Sequence, residues 1–335
     1  MISKRRILQG KLVLSELSFG ASSLGGLYRA VTDEDAVNVL EAAWNAGIRY
    51  FDTAPFYGFG LSECRLGRFL ADRNAKDFVL STKVGRLLEP VANKADIPKS
   101  DFVNPLPNRP VYDYSYSGIM RSFEQSKERL CHVPIDIAFV HDIGTLTHGK
   151  DGNERHYRDL VEGGYRALDE LKRNGDIKAI GLGVNEVEVC LRSMADFDID
   201  LILLAGRYTL LDRTAEHGLL AACERHGTEL IIGGVFNSGI LATGDVQGAY
   251  FDYALAPDHV RQMVRQLETV CHEFNVKLAH AAIRFPLKSR QVSSVLIGTG
   301  KAQSIQKSVD AFDSSIPDAF WDACDEIVGA WGSQA

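Results

Sequence analysis

Eight short apolar runs of strand type, each followed by an amphipathic stretch long enough for a helix, alternate from residue 17 almost to the end of the 335-residue chain. That alternation marks a parallel sheet, because each strand must return over a crossover helix before the next can pair beside it. The runs are residues 17–19, 50–52, 78–82, 135–140, 177–182, 201–204, 229–233 and 293–297. Eight units suit a closed (β/α)8 barrel of the TIM type, whereas a six-stranded doubly wound sheet leaves two of them over. The expected class is therefore α/β. Barrels of this length run as one unit, so residues 1–335 read as a single domain.

Several helices carry end signals. Thr32 followed by Asp33, Glu34 and Asp35 has the form of an acidic capping box, and Asn45-Ala46-Gly47 and Arg173-Asn174-Gly175 have the form of C-terminal stops. Trp44 and Trp331 fall on helical patterns and are expected to pack in the core. Two segments break the repeat, residues 87–115 and 235–256; each follows a strand's C-terminal end, the face on which barrels keep their sites. Both read as long structureless loops. Their aromatics, among them Tyr112, Tyr114, Tyr116, Phe236 and Tyr253, either line a pocket or pack the loops onto the barrel.

Composition narrows the class of function. A hydrophobic fraction of 45% with 24% charged residues is that of a globular chain, and a net charge of −7 without long runs of one sign argues against nucleic acid or an anionic membrane as partner. Six cysteines stand singly, with no C-x-x-C pair and no clustering with histidine, which reads as reduced thiols and no metal site. The N-terminus lacks the apolar core of a secretory signal, and no stretch is long enough to span a bilayer, so the expected location is the cytoplasm. The sequence sets no oligomeric state.

The strand-type runs end on side chains with chemistry. The second ends on Asp52 and is followed five residues later by Tyr57 in a Pro/Gly loop; the third runs on to Lys83; the fourth runs on to His141. In a barrel these consecutive ends lie side by side at the mouth. A lysine cation beside a phenol stabilises phenolate and draws its pKa down from about 10, a carboxylate keeps that lysine charged and aimed, and a histidine can orient a substrate oxygen or relay its proton. Singly, each of these residues reads as ordinary structure. Jointly they read as a site, while the other histidines read as structural.

With Gly47-Ile48-Arg49-Tyr50-Phe51-Asp52-Thr53-Ala54, Tyr57-Gly58, Ser62-Glu63, Leu80-Ser81-Thr82-Lys83 and Ile180-Gly181-Leu182-Gly183-Val184-Asn185 in this order, the chain resembles the aldo-keto reductases along nearly its whole length. The resemblance implies a catalytic tetrad of Asp52, Tyr57, Lys83 and His141. Within the family, Arg109-Pro110-Val111-Tyr112-Asp113-Tyr114-Ser115, Met120-Arg121-Ser122-Phe123-Glu124 and His141-Asp142-Ile143-Gly144 are similar to bacterial D-threo-aldose (L-fucose) 1-dehydrogenases and pyridoxal 4-dehydrogenases.

The resemblance also implies cofactor contacts. Asn185 matches the residue that bonds the nicotinamide carboxamide, and Tyr208 a neighbour of the cofactor; the glutamine usual three residues before it is Ala205 here. Gly234, Asn237, Ser238 and Gly239 follow the seventh run on the cofactor side. Gly298, Thr299, Gly300, Lys301 and Gln306 follow the eighth, where N–H groups at a helix start would face pyrophosphate. A Rossmann alternative fails on the third glycine, missing after both Gly181-Leu182-Gly183 and Gly298-Thr299-Gly300. NADP-dependent members place basic side chains after the last strand, where this chain has Gly298, Thr299 and Ser304, with Lys301 as the one nearby cation. The expected cofactor is NAD, with NADP as the alternative. The implied function is oxidation of a sugar hemiacetal of the L-fucose or D-threo-aldose type to its lactone, with Tyr57 as acid/base and a small-molecule substrate as partner. Oxidation of pyridoxal to 4-pyridoxolactone is the alternative substrate reading. A non-catalytic nucleotide-binding regulatory subunit is the rival from another class.

Overall fold

The computed structural model describes residues 2–332. Eight parallel strands close into a barrel: β1 Leu17–Gly20, β2 Tyr50–Asp52, β3 Val79–Val84, β4 Ile137–His141, β5 Ala179–Val184, β6 Leu201–Ala205, β7 Glu229–Gly233 and β8 Val292–Ile297. Closure is made by β8 against β1, through Val295 with Leu17, Leu296 with Ser18 and Ile297 with Phe19. Every strand-type run of the sequence lands on one of these strands, so the (β/α)8 class stands.

The strands read as continuous apolar runs because both of their faces are covered. Along β6, Leu201 and Leu203 point into the barrel with Tyr50, Phe139 and Ile231, while Ile202 and Leu204 point outward into the larger cluster beneath the helices. The hairpin of Lys4–Ile7 and Leu12–Ser15 delivers Ile7, Leu12 and Leu14 to the inner cluster and so seals one end. Each such side chain contributes about 1.5–3 kcal/mol when taken fully out of water. With one end filled by side chains, the other is left for a site.

Helix Asp33–Asn45 begins where the sequence signals it: Thr32 Oγ1 accepts from the Asp35 N–H at 3.0 Å, and the Asp35 carboxylate accepts from the Thr32 N–H at 3.4 Å. It stops before Gly47, whose φ of +93° is cheap only for glycine, and helix Tyr165–Asn174 ends likewise at Gly175 with φ +82°. Trp44 stacks on Phe51 at 6.3 Å, as expected of a packing residue, with the Arg49 guanidinium 3.9 Å from its ring; the Trp331 side chain lies outside the described residues. All six cysteines are free thiols, and no helix among the described residues is long and apolar enough to cross a membrane.

The two long segments carry more structure than the sequence suggests. In the first, Arg86–Pro90 pairs antiparallel with Asn108–Tyr112. Pro90, Pro105, Pro107 and Pro110 read as breakers, but an isolated two-stranded ribbon has free edges on which a missing N–H costs no ladder bond. In the second, a turn at Asn237–Gly239, a short helix Ile240–Thr243 and a hairpin of Tyr250–Phe251 with Ala254–Leu255 stand over the mouth.

Candidate active site

The ends of β2, β3 and β4 bring Asp52, Lys83 and His141 together. Lys83 Nζ donates to Asp52 Oδ2 at 2.6 Å and to the Thr53 carbonyl at 2.9 Å, while Ser81 Oγ donates to Asp52 Oδ1 at 2.7 Å. Ser81 has then spent its proton, so the Tyr50 hydroxyl, 3.0 Å away inside the barrel, donates to Ser81 and extends the chain downward. The lysine stem runs over Gly183, where an added Cβ would lie 3.1 Å from Lys83 Cε. Tyr57 opens the turn Tyr57–Gly60. Its neighbour Gly58, at φ +64°, presses on Gly25 so closely that a Cβ there would sit 2.5 Å from the Gly25 carbonyl oxygen. That contact pins the turn. The Tyr57 ring centre is 4.7 Å from Lys83 Nζ, and the His141 ring stands perpendicular to it at 6.0 Å.

Burial sets the electrostatics. It pushes the Asp52 carboxyl up, against the pull of Lys83; it disfavours the Lys83 cation, yet Asp52 and Tyr57 outweigh that and leave the lysine more firmly charged than usual. For Tyr57, burial raises the phenol and Lys83 opposes it, with burial ahead. The expectation that Lys83 draws the phenol toward neutral pH is thus corrected: in the chain on its own, loss of water around the ring exceeds the lysine's effect. Burial, followed by the Arg86 and Lys83 cations, holds His141 well below the usual imidazole range, so the ring is neutral. Its carbonyl accepts from the buried Tyr114 hydroxyl at 2.7 Å.

A cleft of about 740 Å³ opens above these residues and is lined by Tyr57, Lys83, His141, Asp142, Asn185 and Arg207 among others. Arg86, Asp142, Arg207 and Asp252, which lie in or beside this cleft, carry no role in the sequence reading. Arg86 donates to the Asp142 carboxylate, and Arg207 ties three loops by donating to the Asn185 carbonyl at 2.9 Å, to Asp212 at 3.1 Å and to both Asp252 oxygens at 3.0 Å. Tyr253, from the hairpin over the mouth, takes the Asn185 amide on its hydroxyl at 3.2 Å. Apart from Arg207 and Asp212, these pairs join residues 22 to 68 positions apart, so no local spacing announces them.

The expected cofactor residues divide into four groups. Asn185 lines the cleft. Gly234 and Gly239 hold turns at positive φ; Asn237 is buried, accepting from Thr209 Oγ1 at 2.6 Å and donating to the Gly206 carbonyl at 3.3 Å; Ser238 accepts from the Tyr253 N–H. Their side chains brace the loop rather than present themselves to the cleft. Tyr208 is set apart, its ring packed on Phe285 at 5.3 Å in the core beneath the helices. After β8, Thr299 accepts on its carbonyl from Ser23, Gly298 and Gly300 leave the backbone bare, and Lys301 caps helix Ala302–Phe312, on which Gln306 turns to Asp310 at 2.8 Å. A Cβ on Gly298 would lie 3.3 Å from the Gly20 carbonyl oxygen, and one on Gly300 would lie 2.7 Å from Arg29 Nη2. Arg29 is therefore a second cation there, beside Lys301. Bare backbone at a helix start, a cation and a cleft amide fit a nicotinamide dinucleotide.

The model of the aldo/keto reductase family matches residues 16–329. The chain is an aldo-keto reductase. As a member of that family it is an NAD(P)-dependent oxidoreductase. This aldo-keto reductase is 44% identical over 327 residues to pyridoxal 4-dehydrogenase of Microbacterium luteolum, covering 95% of each chain. It is 38% identical over 315 residues to D-threo-aldose 1-dehydrogenase of a Pseudomonas species, covering 92% of this chain and 93% of that one. The solved holo form of aldo-keto reductase AKR11C1 from Bacillus halodurans shares its fold with a TM-score of 0.78 at 22% identity, over 98% of this chain and 96% of that one.

Proposed function

We propose that this aldo-keto reductase oxidises a cyclic hemiacetal to a lactone with NAD, on a sugar of the L-fucose or D-threo-aldose type, with Tyr57 as acid/base. The observation that carries the reading is the chain of contacts from Asp52 through Lys83 to Tyr57 at the base of a cleft that mixes carboxylates and an amide with aromatic rings. Such a lining suits a sugar, which has polar edges and apolar C–H faces.

Asn185 and residues 298–301, with Arg29, would hold the dinucleotide; when bound, its nicotinamide supplies the carbon that accepts hydride. Tyr57 Oη takes the proton of the anomeric hydroxyl. Lys83, aimed by Asp52 and the Thr53 carbonyl, stabilises the phenolate that accepts this proton and so becomes the neutral phenol. His141, held neutral, shares the same substrate oxygen. Proton transfer by a positioned group of this kind contributes roughly 10²–10⁴-fold. Because burial lifts the phenol, oxidation gains as pH rises and the phenolate fraction grows, while reduction needs the neutral phenol and declines.

Pyridoxal is the second reading, favoured by the 44% identity to a pyridoxal 4-dehydrogenase. Pyridoxal also closes to an internal hemiacetal, so the same apparatus would serve. NADH formation with L-fucose, L-galactose, D-arabinose and pyridoxal, each with NAD and with NADP, separates the readings. The expected result is the highest kcat/KM for L-fucose with NAD. Turnover of pyridoxal alone removes the sugar reading, an advantage for NADP removes the NAD reading, and tight nucleotide binding without any turnover restores the regulatory one.

A further inference from the structure

We propose that Asp142 recognises a second hydroxyl group of the substrate, on the carbon next to the one that is oxidised, and that Arg86 is the positioning residue that aims it. The proposal rests on the reading that Tyr57 and His141 hold the reacting oxygen.

Asp142 directly follows His141 at the end of β4. Its backbone turns into the left-handed region, φ +46°, with its N–H donated to the Gly183 carbonyl at 2.9 Å, and its carboxylate lines the cleft. A non-glycine residue in that region is uncommon, and aspartate is among the few that adopt it readily. The turn leaves Oδ2 at 3.6 Å from His141 Nε2, too far for a hydrogen bond between them and suited to two groups that hold adjacent oxygens of one ligand.

Arg86 has little freedom. It is buried, donates from Nη2 to Asp142 Oδ2, and lies over the Phe56 ring at 4.1 Å and the Tyr112 ring at 4.9 Å. An ion pair whose arginine is buried and whose carboxylate is only part-exposed is often no more stable than apolar residues of the same volume, so fold stability alone accounts poorly for it. Among the described residues no donor is paired with Asp142 Oδ1, which leaves one oxygen of a part-exposed, cleft-lining carboxylate ready to accept. The Arg86 charge cancels that of Asp142, so the pair selects an uncharged hydroxyl donor rather than an anion. The substrate class is therefore 2-hydroxy aldehydes and their cyclic hemiacetals.

The test compares matched pairs. In oxidation the pair is L-fucose and 2-deoxy-L-fucose; in reduction with NADH it is 2-hydroxypropanal and propanal. The wild-type enzyme is expected to favour the hydroxylated member of each pair by roughly 10- to 100-fold in kcat/KM, the worth of a hydrogen bond to a charged group. Asp142→Ala should shrink the ratio to below about threefold, the level of a contact with no charged partner. Asp142→Asn, which tolerates the left-handed backbone, should give an intermediate ratio, and dinucleotide affinity measured by fluorescence reports that either variant is folded. Arg86→Met should act on the KM of the hydroxylated member more than on kcat, with partial rescue by Arg86→Lys. An undiminished ratio in Asp142→Ala, or an equal loss on both members of a pair, overturns the proposal. If neither sugar turns over, the sugar reading fails, and the two small aldehydes still decide the role of Asp142.

Discussion

The two halves of the barrel mouth are built on opposite plans. Where β2, β3 and β4 end, charged side chains are buried, paired and anchored on strands: Asp52 and Lys83 are almost wholly enclosed and hydrogen-bonded from several sides. Where β5 to β8 end, the strand termini are neutral or bare, with Asn185, Ala205, Gly234 and Gly298, and the charge sits on loops, where Arg207 ties Asp212 and Asp252 together. Under the proposed function the difference separates two tasks. Proton transfer needs groups held to a fraction of an ångström in little water, while a dinucleotide must enter and leave past segments that can move.

Breaking the strand-anchored half should cost most. Lys83→Met removes the cation that opposes burial at Tyr57, so the phenol climbs further; kcat for oxidation should fall by about 10²–10³-fold and its rising limb should move to higher pH in a pH–rate profile. Asp52→Asn leaves Lys83 to the burial that disfavours its charge, but it also removes a carboxylate that raises the phenol directly, so the limb should move by less than in Lys83→Met. That variant also strips one partner from a buried pair, so chemical denaturation should show a loss of about 3–5 kcal/mol. On the loop-built half, Asp252→Asn opens a part-exposed ion pair with Arg207 that is worth about 0–1 kcal/mol, and dinucleotide Kd measured by fluorescence titration should rise by less than about fivefold. Away from the mouth, Thr32→Ala should lower stability by about 1 kcal/mol through loss of the capping box and leave kinetics alone.

The same contrast governs what the sequence discloses. β1 to β8 were legible because strands buried on both faces read as apolar runs, and Asp52, Lys83 and His141 because they terminate three of those runs. Tyr57 was legible by its fixed distance from Asp52. The loops hid their organisation: the Arg86–Pro90 ribbon lies among prolines, Arg207 finds two of its partners across 22 and 45 residues, and Arg29 meets Gly300 only when β8 closes on β1. Tyr208 shows the limit of position in a motif, since its ring turned into the core instead of the cleft. The pull of Lys83 on Tyr57 was readable from residue types, whereas the larger opposing effect of burial needed the packed structure.

The central claim is that the Tyr57 hydroxyl moves the proton. Single-turnover measurement of nicotinamide reduction by Tyr57→Phe, with dinucleotide affinity determined on the same sample, tests it most directly. The account predicts a loss of roughly 10²–10⁴-fold in the rate of that step with affinity for the dinucleotide retained. A phenylalanine variant that reduces the nicotinamide at the wild-type rate would contradict it.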